Sequence, residues 1–164
     1  MENYICINGK KAELTEKQLK ALGIELPKAN PFERVSKRTP FYFVTVKGGT
    51  EFGIDIEDYH CNKLYEVGNY CTDKAIMEQR ALHETLNRLL WRYSMEHDGD
   101  KINWKNHSIK IKIYHDSHNN TFGFDKNSFL NDFNSVYFFS TEIAEKAIEE
   151  IIKPFMKAHP DFKF

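Results

Sequence analysis

A chain of 164 residues, 41% hydrophobic and 29% charged, has the material for one globular domain with a small appendage and can bury a core without disulfides. No apolar run approaches the ~18 residues of a membrane span, and the start MENYICINGKK lacks a basic segment followed by an apolar one, which reads against a membrane partner and a secretory signal. The net charge of −1 divides unevenly, +4 over residues 1–47, −6 over 48–100 and +1 over 101–164, so a strongly basic nucleic-acid footprint is excluded.

Residues 4–14, YICINGKKAEL, read as two short strands around the Asn8-Gly9 turn. Thr15 and Gln18 form a capping box for a short helix that Gly23 stops. Residues 1–26 thus make a small hairpin–helix unit. Pro27, Pro31 and Pro40 mark 27–40 as a linker anchored by Phe32 and Val35. The core domain is expected over 41–164. It opens with a strand at 41–46, a Gly48-Gly49 turn and a returning strand at 50–56. There Phe52, Ile54 and Ile56 are expected inward, and Glu51, Gly53 and Asp55 outward. A helix from about Asp73 to Glu96 carries Ala75, Leu82, Leu86, Leu89 and Tyr93 on one face. Residues 108–114 alternate, Ile109, Ile111 and Ile113 inward and Lys110 and Lys112 to solvent. A return strand, an irregular stretch and the short strand VYFF lead to a helix from about Thr141, expected to kink or end near Lys153 because Pro154 lacks an amide donor.

The stretches 69–90 and 136–156 echo one another. Asn69 aligned with Val136 pairs Tyr70 with Tyr137, Asp73 with Ser140, Ile76 with Ile143 and Glu78 with Glu145. The expected fold is therefore α+β: antiparallel hairpins covered by two long amphipathic helices. Its halves, 41–97 and 108–158, fit an internal β–β–β–α duplication. Leu82, Leu86, Ile148 and Ile152 are expected to be buried together.

Chemistry-bearing motifs are incomplete. HETLN at 83–87 offers His83, but Asn87 stands where a zinc helix needs its second imidazole. His115, Asp116 and His118 share a turn with no evident fourth ligand, and 97–100 fails the oxygen-ligand spacing of a calcium loop. His60 and Cys61, read as strand neighbours, point apart. Cys6, Cys61 and Cys71 form no Cys-x-x-Cys and suit a reducing cytoplasm. The expectation is a non-enzyme with no catalytic, cofactor or metal residues. Two surfaces remain as partner sites: the acidic stretch Glu51, Asp55, Glu57 and Asp58, and the hairpin residues Lys110, Lys112, Tyr114, Phe122 and Phe124. The latter, with Tyr42, are also the base-stacking candidates.

The segments KKAELTEKQLKALG, NPFERV, YEVGNYCTDKAIMEQRALHETLNRLLWRYS and VYFFSTEIAEKAIEEIIKPFMKAHPDF span nearly the whole chain. In them the sequence resembles short uncharacterised proteins of phages, prophages and mobile elements of Gram-positive, Clostridia-like bacteria. The resemblance implies a cytoplasmic setting in a bacterial host cell and an accessory role, and it carries over no catalytic residue. The expected function is binding and modulation, including inhibition, of a host protein or protein–nucleic-acid machine such as an immune system. The alternative is single-stranded nucleic-acid binding by an aromatic and lysine sheet face. An exposed helix stripe would equally serve a homo-oligomer.

Overall fold

Thr15 opens the first helix as its sequence dictates. Its amide donates to Gln18 Oε1 at 2.9 Å, and the Gln18 amide donates to Thr15 Oγ1 at 3.4 Å. The computed structural model describes residues 4–7, 10–22, 30–97, 99–102, 105, 109–127, 132 and 134–164. The chain divides into two compact units, 1–33 and 34–164. In the first, β1 (Tyr4–Ile7) and β2 (Lys10–Glu13) pair antiparallel with Tyr4 opposite Glu13, and α1 spans Glu16–Ala21. Asn8, Gly9, Gly23 and Pro27 lie outside the described residues, as do Ser108 and most of the irregular stretch before Asn134.

The second unit begins with β3 (Pro40–Val44) and β4 (Thr50–Ile54), antiparallel with Tyr42 opposite Phe52. Gly48 turns the hairpin at φ +86°. A Cβ there would stand 2.5 Å from Thr85 Oγ1, so both the backbone and the space require glycine. α2 (Tyr59–Glu66) follows, and then Cys71 bridges back to Tyr42 through amide–carbonyl bonds of 2.7 and 3.0 Å. α3 runs Lys74–Glu96, capped by Asp73, whose side chain accepts from the amides of Ala75 and Ile76. Next come β5 (Lys110–Asp116), β6 (Thr121–Asn127) and β7 (Tyr137–Phe138), in the order β6-β5-β7 and all antiparallel. Ser140 caps α4 (Thr141–Ala147), which continues through a π turn (Ile148–Ile152) into α5 (Lys153–Ala158).

The architecture is α+β, and the two halves of this unit share several local features, although α2 occurs only in the first and only the second has a third strand. Each hairpin's first strand pairs, on its other edge, with a short extended run two residues before a helix cap. In one half that run ends at Cys71 before Asp73, and in the other at Phe138 before Ser140. Each hairpin also seats an aromatic ring over a cross-strand glycine, Phe41 over Gly53 and Tyr114 over Gly123. Each buries the tyrosine ahead of its helix, Tyr70 and Tyr137.

α3 is the spine. Its first turns put Met77 and Ala81 against Val44 and Cys71. Its middle puts Leu82 and Leu86 with Ile148, Ile152 and Phe155, so the four expected core residues share one cluster. Its end buries Tyr93 with Ile111, Phe138, Ala144 and Ala147. The Tyr93 hydroxyl donates to Glu150 at 3.0 Å, and the Ser94 hydroxyl to the Tyr137 carbonyl at 2.6 Å. Among the described residues, no helix is long and apolar enough to cross a membrane.

Several expectations are corrected. Along 52–56 the expected faces are reversed, Glu51 staying exposed as expected: Asp55 is 0% exposed, while Phe52, Ile54 and Ile56 are 69%, 48% and 52% exposed. The reason is Gly53, whose missing side chain lets Phe41 pack on the face it shares with Asp55, making that face the inner one. Residues 59–66 are helical, so His60 and Cys61 are not strand neighbours. Cys61 is buried, and its thiol donates to the Ile54 carbonyl at 3.7 Å. Lys110 is 1% exposed and Ile109 is exposed, the reverse of the expected order. Ala75 is exposed, and Met77 and Ala81 take its place in the core. Of the two outcomes expected near Lys153, the ending does not occur, since the helical run passes through a π turn into α5. The Lys153 amide reaches back five residues to the Ile148 carbonyl, and the widened turn admits the proline at the start of α5.

Candidate functional site

The nine residues singled out by the sequence fall on two surfaces of the second unit, with different fates. On the first, Asp55 is not a surface group. It receives Arg34 Nε at 3.0 Å and Nη2 at 3.1 Å, the Tyr70 hydroxyl at 2.9 Å and the Glu57 amide at 2.8 Å. The Arg34 bonds are the main reason its carboxyl is held below the usual carboxylate range. Burial, ahead of the negative charge beside it, pushes the Tyr70 phenol up to about 12. Tyr70 accepts in turn from the Val35 amide, and its ring stacks on Phe41 at 4.2 Å, so this network ties residues 34 and 35 to the hairpin. Asp58 caps α2 by accepting from the Cys61 amide at 2.8 Å, which lowers its pKa. Glu57 sits at φ +61° and faces Lys37 at 3.5 Å.

The charges the sequence offered at 51–58 therefore mostly serve the fold. What the structure exposes there is an apolar ledge: Phe52 and Ile54 on one face of β4, with Ile56 just beyond. Glu51 and Glu57 are exposed beside them. β4 is also an edge, since β3 occupies one side and no described strand pairs with the other. Neither a proline nor a lysine blunts it, the usual protections of an exposed edge. Sequence reasoning missed the ledge by assigning these three side chains to the core. The signal that could have found it was the glycine in mid-strand, which marks the face where another chain segment comes close.

On the second surface, Lys110 is buried. Lys112 pairs with Asp132 and, at 3.6 Å, with Asp125, and the Asp132 bond is the main cause of its raised pKa. Tyr114 leans on Gly123, while Phe122 and Phe124 are half-buried against the cluster of Leu86 and Ile152. In the turn, Asp116 accepts from the His118 amide and from both nitrogens of Asn119, and His115 Nε2 lies 3.1 Å from Asn120 Oδ1. These side chains build the turn. Beside this hairpin a cleft of about 420 Å3 opens against α3, walled by Leu86, Leu90, Ile113, Phe122, Phe138 and Ile152. Lys112, Tyr114 and Phe122 reach it, so three of the nine residues share one concavity. Phe164 closes one end, stacked on His115 at 4.2 Å. His83 packs on Phe162 at 4.8 Å and also lines it.

No protein-family model, curated protein or solved structure matches the chain.

Proposed function

We propose that this chain is a binding protein, not a catalyst, and that it takes an extended segment of a partner protein onto the outer edge of β4. The observation that carries this reading is the ledge of Phe52, Ile54 and Ile56 along a strand edge that no described strand covers, where the Cys61 thiol holds only the Ile54 carbonyl at its end. Strand addition draws affinity from main-chain hydrogen bonds and specificity from alternate side chains. The ledge calls for apolar side chains at every second position of the partner. Glu51 and Glu57, in a region of net charge −6, call for Lys or Arg between them. In the mobile-element setting that the sequence resembles, such a partner is a host protein or nucleoprotein, and modulation follows from occupying its strand. The nucleic-acid reading has less support, because Lys110 is buried and Lys112 already faces two carboxylates.

The test is fluorescence anisotropy with a labelled strand-forming peptide alternating Val and Lys. Saturable micromolar binding is expected, with slowed amide exchange across Thr50–Ile54. The double variant Phe52→Glu/Ile54→Glu should weaken binding at least tenfold with little change in the thermal midpoint, because Phe52 is mostly exposed and Ile54 about half exposed. Equal binding of a Val/Glu peptide, or unchanged binding by the double variant, would refute the reading. Retention on single-stranded DNA that falls with rising salt would favour the nucleic-acid alternative.

A further inference from the structure

We propose that the cleft between α3 and the second sheet is a binding site for a small, uncharged, flat aromatic molecule. This inference is independent of strand addition at β4. The cleft's volume, about 420 Å3, is within the range of small-molecule sites, which are mostly apolar with a few polar groups at fixed positions. Its apolar wall is assembled from α3, β5, β6, β7 and the π turn. Side chains from packed helices and strands hold a shape better than side chains on one loop.

Charge selects the ligand. Two charged side chains line the cleft besides the imidazoles, and both have partners within the protein. Glu84 receives Arg80 at 2.8 Å and lies 3.8 Å from Arg88, and Lys112 holds Asp132 and Asp125. An ionic ligand would lose its hydration and find Glu84 and Lys112 already paired, an expensive exchange. The remaining polar groups are the imidazoles of His83 and His115, the hydroxyls of Tyr114 and Ser135 and the amides of Asn87 and Asn134, which suit neutral hydrogen bonds, and His115 Nδ1 is buried with no partner among the described residues. Shape favours a planar ring system. One end of the cleft is lined by His115, Phe122 and Phe164, whose rings lie 4.2–5.6 Å apart, so an added ring meets stacking and edge contacts.

The probe is Nile red, neutral and planar, titrated into the full chain and followed by its emission shift. One saturable site per chain is expected, with the anionic dye anilinonaphthalenesulfonate at least tenfold weaker. Asn87→Trp, at an exposed position on the cleft's mouth, should fill the opening and weaken Nile red at least tenfold with an unchanged thermal midpoint. Ser135→Phe serves as a second filling variant. Phe52→Glu/Ile54→Glu should leave dye binding unchanged, which separates this site from the β4 ledge. Absence of saturable binding, or binding that survives both filling variants, or binding that the ledge variant removes, would overturn the proposal.

Discussion

Asp55 accepts four hydrogen bonds, from Arg34, Tyr70 and the Glu57 amide, in a position with no exposure. A buried carboxylate is tolerable only when so paired, and removing its charge leaves the donors around it short of an acceptor. Asp55→Asn is expected to destabilise the second unit by about 2–3 kcal/mol at pH 7, read from urea melts. The pH dependence has a defined sign. Because the folded-state pKa of Asp55 lies below its unfolded value of about 3.9, its contribution is fully present above that value and is lost as pH falls through the folded pKa. Between about pH 5 and pH 2 the parent should therefore lose more stability than the variant. An equal acid loss in both would mean that Asp55 does not hold the charge assigned to it. Nothing in the run TEFGIDI announces Arg34 as the partner, twenty-one residues away, and only the glycine at 53 hints at which face turns inward.

At the scale of elements, the legible parts are those set by local chemistry. The capping box at Thr15, the caps at Asp73 and Ser140 and the start of α3 follow from side chains that reach their own backbone. Asp73→Ala is expected to cost about 1 kcal/mol in a chemical melt, with loss confined to the first turn of α3 by amide exchange. An unchanged melting curve would argue that packing on Val44 and Cys71, rather than the cap, fixes that end. The illegible elements depend on neighbours. α2 is short, and it forms where Asp58 caps it and Cys61 is buried in a cluster with Phe41 and Tyr70. The last helix passes Pro154 through a π turn; the proline marks an irregularity near Lys153 without saying that the helix continues beyond it.

For the molecule as a whole, α3 contributes to three clusters, through Met77 and Ala81, through Leu86 and through Tyr93. Leu86 lies in the middle one, and Leu86→Ala is expected to cost about 3 kcal/mol. Both halves should lose it together, with tryptophan fluorescence and far-ultraviolet dichroism giving one coincident transition. Two separated transitions would show that α3 does not couple the halves. The candidate surfaces belong to this scale too. The ledge exists because α3 covers Val44 and stops short of Phe52, and the cleft exists because α3 and the second sheet meet at Leu86 without filling the space toward Phe122.

By itself the sequence determined the fold class, the starts of α1, α3 and α4, and the hairpins. These rest on periodicity, turn residues and caps, which act over a few neighbouring residues. Tertiary structure alone decided which face of β4 turns inward, that Lys110 is buried, and that Asp55 and Lys112 hold internal partners. The physical reason is that a two-residue period gives two alternating faces without saying which is covered. That choice is made by whatever packs on the strand from elsewhere in the chain.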